Sequence, residues 1–255
     1  MKKTSAKQNT SWGSVAKWYD ETVESEDSYQ QTVILPNLLR LMDIKKGEVV
    51  LDLACGQGFF SRAFAGAGAA VVGVDISPEL IAIAREKSPK EIGFHAASAE
   101  AFPFLADGSF DKVVIVLALQ NIEKMNETLA ECARVLAPEG KLYLVLNHPA
   151  FRIPKASSWG FDEKEKVQYR RIDRYLSESR VPIEMHPGEN PSEKTISFHR
   201  PLQTYAKALY KSGLAIRRLE EWSSNKKSEK GPRADAENRA RAEIPLFLAL
   251  EAIRL

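Results

Sequence analysis

The sequence predicts an α/β fold, a doubly wound and mainly parallel sheet with helices on both faces. Two observations carry this. Short apolar runs at 49–53, 71–74 and 113–119 are each bounded by turn residues, as expected of strands buried on both faces of a parallel sheet. Between them lie helical patterns, so strand and helix alternate along the first 150 residues. A chain of 255 residues with 44% hydrophobic content can bury one full core, and a single domain spanning 1–255 is expected.

Residues 1–14 are polar and read as a mobile tail with no apolar signal core. Residues 15–21, with Trp18 and Tyr19, are too aromatic for a solvated leader. From 29 to 42, Val33, Leu35, Leu38, Leu39 and Met42 recur at helical spacing, and Pro36 should start the helix proper or kink it. The stretch 49–75 organises the rest. A buried strand ends in Asp52-Leu53-Ala54-Cys55-Gly56-Gln57-Gly58, a helix is expected over 59–67, and a second strand ends in Asp75. Gly56 and Gly58 allow a tight turn and close backbone approach to a ligand. The free amides of the following helix face whatever the turn holds. A carboxylate at the end of the second strand can accept from a pair of ribose hydroxyls. Together these form a nucleoside-binding unit.

A dinucleotide is disfavoured, because G-x-G-x-x-G requires a third glycine and that position holds Ser61. The phosphate loop G-x-x-x-x-G-K-[ST] is absent. An acid beside the glycines, Asp52, repels a pyrophosphate and suits a cationic ligand. The pattern D-x-A-C-G-x-G closely resembles motif I of the class I S-adenosylmethionine-dependent methyltransferases. Within that class the chain is most similar to the type 11 family, which includes quinone, sterol and small-metabolite enzymes. The resemblance implies a Rossmann-like methyltransferase sheet of order 3-2-1-4-5-7-6 with the last strand antiparallel, and S-adenosyl-L-methionine as cofactor. It also implies cofactor-binding roles for Asp52, Ala54, Gly56, Gly58, Asp75, Ile76, Ser98, Ala99 and Leu117, with residues 1–28 closing over the cofactor and Tyr19 touching its methionine end.

Ser77-Pro78-Glu79 is a helix start, with Ser as N-cap and Pro in the first turn. A short strand is expected at 92–96. Residues 97–104 then resemble the family's adenine loop, with Ser98 where that family usually has Asp, replacing a charge-assisted bond by a neutral one. The strand 113–119 leads to Gln120 and Asn121 at the mouth of the sheet. The N-P-P-Y that nucleic-acid and protein amino-methylating relatives carry there is replaced by Leu-Gln-Asn-Ile. A helix over 126–136, a turn at 137–140 and a strand over 141–147 follow.

From 148 to 200 the rhythm breaks: prolines and a glycine are frequent, no clean strand is expected, and only 162–177 looks helical. In similar methyltransferases an insertion at this point covers the substrate, and its Arg, Trp and Tyr content suits an acidic or aromatic small molecule. His148, leaving strand five, is expected either as a general base, with Gln120 orienting the same nucleophile, or as a tie of the lid to the strand by a backbone hydrogen bond. A helix over 201–210, a strand over 215–222, a charged exposed connection over 223–242 and a closing strand over 244–253 complete the chain.

Net charge is +2, which argues against a general polyanion binder, and nucleic acid is not the expected partner. Cys55 and Cys132 are far apart with no metal spacing, so two buried thiols, no metal and a reducing cytoplasmic setting are expected. No apolar run approaches the roughly 20 residues of a membrane span. The expected reaction is methyl transfer from a sulfonium to an oxygen, nitrogen or carbon of a small metabolite. An RNA or protein methyltransferase and a non-catalytic S-adenosylmethionine-binding protein remain the alternatives.

Overall fold

The computed structural model describes residues 12–186 and 190–255, except for the side chains of Ser14, Tyr19 and residues 185–193. The expectations for residues 1–11 and for the Tyr19 side chain lie outside these. The strands are β1 (Val49–Leu53), β2 (Ala70–Asp75), β3 (Gly93–Ala96), β4 (Phe110–Val116), β5 (Leu136–Asn147), β6 (Ser157–Asp162), β7 (Val167–Ile172), β8 (Ser179–His186), β9 (Asn190–His199), β10 (Leu214–Trp222) and β11 (Phe247–Arg254). The α-helices are α1 (Ala16–Glu24), α2 (Leu35–Met42), α3 (Phe59–Gly66), α4 (Pro78–Lys87), α5 (Met125–Val135), α6 (Leu202–Lys211) and α7 (Ala234–Glu243). Pro36 sits in the first turn of α2, and a π-helical turn, Gln30–Ile34, precedes it.

Seven strands form one sheet in the order β10-β11-β5-β4-β1-β2-β3. The pairs from β5 to β3 are parallel, and β11 runs antiparallel to both β5 and β10. Counting only strands of this sheet, that is the expected 3-2-1-4-5-7-6. Side-chain alternation sends successive residues to opposite faces. On one face Leu51, Val113, Ile115, Leu142 and Leu144 join Leu129 of α5 and Leu209 of α6. On the other, Val50, Val114, Tyr143 and Val145 meet Leu38 of α2, Phe64 of α3 and Ile81 of α4. Each central strand is covered twice, so its apolar run is continuous rather than alternating.

Two expectations fail outside the sheet. Residues 148–200 carry no helix at 162–177. They form two antiparallel hairpins, β6–β7 and β8–β9. Tyr169, Ile172 and Leu176 have helical spacing, but all three side chains are exposed and share no buried face. The hairpin is set by its turn and its cross-strand pairs. The Asp162 carboxylate accepts from the amides of Lys164 and Glu165, and Lys166 takes φ 53°. Gly160 lies opposite Tyr169, where a Cβ would meet the ring at 2.4 Å, and the Arg170 guanidinium covers Trp159 at 5.1 Å. The second failure is the connection 223–242, whose end is helical in α7. That helix buries only Ala236 and Ala240, four residues apart, too small a stripe to stand out among charges. It packs against β7, and Arg233 before it pairs with Glu163 and covers Phe161 at 4.4 Å.

β2 is pinned to its neighbours through Gly73, where a Cβ would stand 2.5 Å from Phe94 and 2.9 Å from the Cys55 sulfur. Gly73→Ala should therefore cost about 1–3 kcal/mol by overpacking. Urea denaturation reads that loss, and a variant as stable as wild type would show that β3 and the loop after β1 can move apart.

Candidate active site

The sheet order reverses between β1 and β4, and the carboxyl ends of these strands and of β2 open into a cavity of about 580 Å³. Its volume lies within the range of small-molecule sites. Both strand ends leave through left-handed backbone at residues other than glycine, Ala54 (φ 61°) and Leu117 (φ 53°). Such conformations cost about 1–3 kcal/mol each and persist where the surroundings over-determine them. Here the Cys55 amide donates to the Val74 carbonyl (3.1 Å) and the Leu117 amide to the Val145 carbonyl (2.8 Å). Gly56 (φ 57°) and Gly58 (φ 83°) complete the turn, and Gly58 caps α3 without a side chain.

Asp75 closes the loop from the other side. One carboxylate oxygen accepts from the Gly56 amide (2.9 Å) and the other from the Ser77 amide (2.8 Å). Burial raises its pKa, while these amides pull it down. The Ile76 amide also lowers the pKa, and since a carboxylate has about four acceptor positions, acceptor capacity is left over on a residue that lines the cavity. Ile76 presents a 38% exposed apolar face to the same space, opposite the short side chains of Ala97, Ser98 and Ala99.

Of the residues expected to bind cofactor, Ala54, Gly56, Asp75, Ile76, Ser98, Ala99 and Leu117 line this cavity, and Asp52 and Gly58 do not. Asp52 shares a face of β1 with Val50, directed at α3, where Ser61 donates to it at 2.5 Å. The third-glycine position of the dinucleotide fingerprint thus holds the hydroxyl that satisfies a buried acid. Burial first, opposed by Ser61 and helped by the charge of Asp75, moves the Asp52 pKa up to about 7.

Gln120 lies on a 3₁₀ turn, Leu119–Asn121, after β4. Its Nε2 donates to the Leu117 carbonyl (2.6 Å), which fixes the amide orientation and leaves buried Oε1 without a hydrogen-bond partner. Gln120 lines a smaller cavity of about 260 Å³, which shares Phe198 with the larger one. His148 lines neither. Its Nδ1 accepts from the Ala150 amide (3.2 Å), so the neutral ring carries its proton on Nε2 and donates to Glu221 (2.7 Å). Burial lowers its pKa, with Glu221 opposing. Asn121, expected at the mouth of the sheet but given no role, also walls the larger cavity, as do Glu123, Thr195, Ile196 and Phe198, which sequence reading passed over. The Asn121 side-chain amide donates to the Ile196 carbonyl at 2.8 Å, tying β9 to the sheet's mouth. Their only signal was position, after strand four and late in the insertion. Among the described residues no group of three His, Cys, Asp or Glu could hold a metal, both cysteines are buried, and no helix is long and apolar enough to cross a membrane.

The Asp52 shift has a consequence for stability. Between about pH 4 and pH 7 the folded chain holds a proton that the unfolded chain has released. This group's stabilisation is full below the unfolded value and is lost as pH rises to about 7. Asp52→Asn should remove that slope. Urea denaturation at about pH 5 and about pH 7.5 should show a smaller drop in the variant than in wild type, and equal drops would mean Asp52 is ionised throughout.

Comparison with known proteins agrees with this geometry. Residues 51–144 match the family model described as a methyltransferase domain. Demethylmenaquinone methyltransferase of Renibacterium salmoninarum is 42% identical over 106 residues, covering 41% of this chain and 44% of the relative. Ubiquinone biosynthesis O-methyltransferase of Aromatoleum aromaticum is 33% identical over 135 residues, covering 50% and 56%. The chain thus spans about half the length of the curated relatives it matches. A solved S-adenosylmethionine-dependent methyltransferase from Mesorhizobium loti superposes with TM-score 0.67 at 29% identity, covering 86% of this chain and 96% of that one. Residues 51–144 are therefore similar to a methyltransferase domain, and the chain has the class I fold of the S-adenosylmethionine-dependent methyltransferases.

Proposed function

We propose that the chain transfers a methyl group from S-adenosylmethionine to an oxygen, nitrogen or carbon of a small-molecule metabolite. The observation that carries this is Asp75, a buried carboxylate held by two amides, with acceptor capacity left over, that lines a nucleoside-sized cavity. The residues present fit the cofactor: Asp75 for the ribose hydroxyls, Ile76, Ser98 and Ala99 for the adenine, Ala54, Gly56 and Leu117 for the rest. Asp52 and Gly58 act from behind the wall, by shaping the loop. When bound, the cofactor supplies a methyl already activated on a sulfonium, so what remains for the protein is alignment and exclusion of water. Gln120 suits the first task, since its unpartnered Oε1 can accept from a hydroxyl or amine. His148, with both nitrogens engaged, suits a tie between the end of β5 and β10 better than a base.

The insertion from 148 to 200 is read as the substrate lid, because Thr195, Ile196 and Phe198 of β9 form one wall of the cavity. Residues 12–28 serve as the cofactor lid: Trp12 reaches the cavity and Asp20 pairs with Lys87 at 2.6 Å. The names of the curated relatives favour a quinone-like acceptor over RNA or protein.

Calorimetry tests the cofactor half. Wild type should bind S-adenosylhomocysteine, and Asp75→Ala should lose about 1.5–3 kcal/mol of that binding. A chain that binds NAD and ignores S-adenosylhomocysteine is not a methyltransferase. Kinetics tests the tie. His148→Ala should lower stability and leave turnover within about tenfold, whereas loss of a general base costs about 10²–10⁴-fold.

A further inference from the structure

The smaller cavity, of about 260 Å³, lies between the 3₁₀ turn after β4, the end of β5 and the two hairpins of the insertion, and three of its lining residues are arginines. Several arginines elsewhere face acids: Arg40 with Glu220, Arg62 with Glu24, Arg134 with Glu131 and Asp107, Arg233 with Glu163. Here no Asp or Glu lines the cavity. Arg170 donates to the Phe151 carbonyl (2.8 Å) and the Ser157 hydroxyl (2.7 Å), both neutral. Arg200, buried, donates to the carbonyls of Leu119, Ile122 and Glu123. Among the described residues Arg152 makes no side-chain hydrogen bond and no ion pair.

Three guanidinium charges therefore share a recess in which their partners are neutral: carbonyls, a hydroxyl and, for Arg170 and Arg200, the rings of Trp159 and Phe198. The pKa of Arg152 is pulled down by burial, with Tyr29 opposing, and that of Arg170 by burial and by the charge of Arg152. By solvent-accessible area Arg152 is nevertheless exposed. A side chain surrounded by protein that opens onto a cavity has both properties. Gathering cations without a counter-charge costs free energy that an arriving anion returns.

We propose that this cavity is the subsite for a carboxylate carried by the methyl acceptor, with Arg152 as its direct partner and Arg170 and Arg200 supplying fixed positive potential. A carboxylate is favoured over a phosphate because one guanidinium alone has its donors free, and one planar fork matches one carboxylate bidentately. Phe198 walls both cavities, and the turn that carries Gln120 toward this one carries Asn121 toward the larger. An acid anchored here presents its remaining atoms to Gln120 Oε1, on the side facing the proposed cofactor site. The assignment rests on the methyltransferase reading for the word acceptor. The anion site itself stands on the arginines.

Binding of benzoate and benzamide, measured by calorimetry on the full chain saturated with S-adenosylhomocysteine, separates charge from shape. Benzoate should bind and its neutral isostere should bind at least about tenfold more weakly. Arg152→Gln should lose about tenfold or more of benzoate affinity, and Arg152→Lys, which keeps charge without the fork, should recover part of it. Affinity for S-adenosylhomocysteine should be unchanged in both, showing that the variants fold. Equal binding of acid and amide, no benzoate binding by wild type, or full affinity in Arg152→Gln overturns the subsite while leaving the methyltransferase reading intact. Benzyl phosphate binding more tightly than benzoate overturns the choice of carboxylate. Were S-adenosylhomocysteine not to bind while benzoate still binds in its absence and depends on Arg152, the cofactor reading would fall and the anion site would stand.

Discussion

The Asp75 carboxylate is the contact on which the upper end of the sheet depends. It sits where β2 ends and receives one amide from the loop after β1 and one from the residue that caps α4. A single side chain thereby sets the spacing between two βα turns and keeps acceptor capacity at the cavity it lines. Because it is buried, ionising it without those amides would be costly. The amides and the spare acceptor capacity are two uses of one charge, and loosening the first disturbs the second.

The same economy of faces explains Asp52. A strand covered on both sides has no solvent-directed position, so a polar residue in it must be satisfied by a helix above or below. Asp52 points at α3 and finds Ser61. A glycine at 61, as a dinucleotide site prefers, would leave that acid without its hydroxyl. The motif that resembles a cofactor loop is thus partly a record of internal hydrogen bonding. Two of its residues, Asp52 and Gly58, shape the wall without reaching the cavity.

Legibility followed periodicity. The central strands and their helices could be read because double burial writes unbroken apolar runs, and because Gly56, Gly58 and Ser77-Pro78 punctuate them. The sheet order followed from the resemblance, with the antiparallel β11 in its expected place. The insertion could not be read in the same way. Its strands are short and mostly exposed, so no apolar alternation marks them. Their stability comes from cross-strand pairs such as Trp159 with Arg170, which depend on register and leave no trace in composition. The chance spacing of Tyr169, Ile172 and Leu176 then mimicked a helix. α7 was lost for the opposite reason, a helix so charged that its two buried alanines are invisible. For His148, position at a strand end was legible and its partners were not, since Glu221 lies on β10, distant in sequence.

The division between the legible and illegible parts matches the division of labour in the site. One cavity is built from strand ends and tight turns, whose geometry the sheet dictates, and any chain with this sheet and these glycines arrives at nearly the same walls. The other is built from hairpins hung on a few tethers: Asn121 to Ile196, Arg200 to the turn after β4, Arg170 to Phe151. Two of those tethers are arginines that give their donors to neutral carbonyls, so the groups that hold the insertion in place also charge the space beneath it. An Arg-to-apolar change there would remove potential and anchorage together, whereas Arg152, which anchors nothing among the described residues, can change without moving the walls. Substrate preference can therefore drift at Arg152 while the scaffold that aligns the cofactor stays as it is.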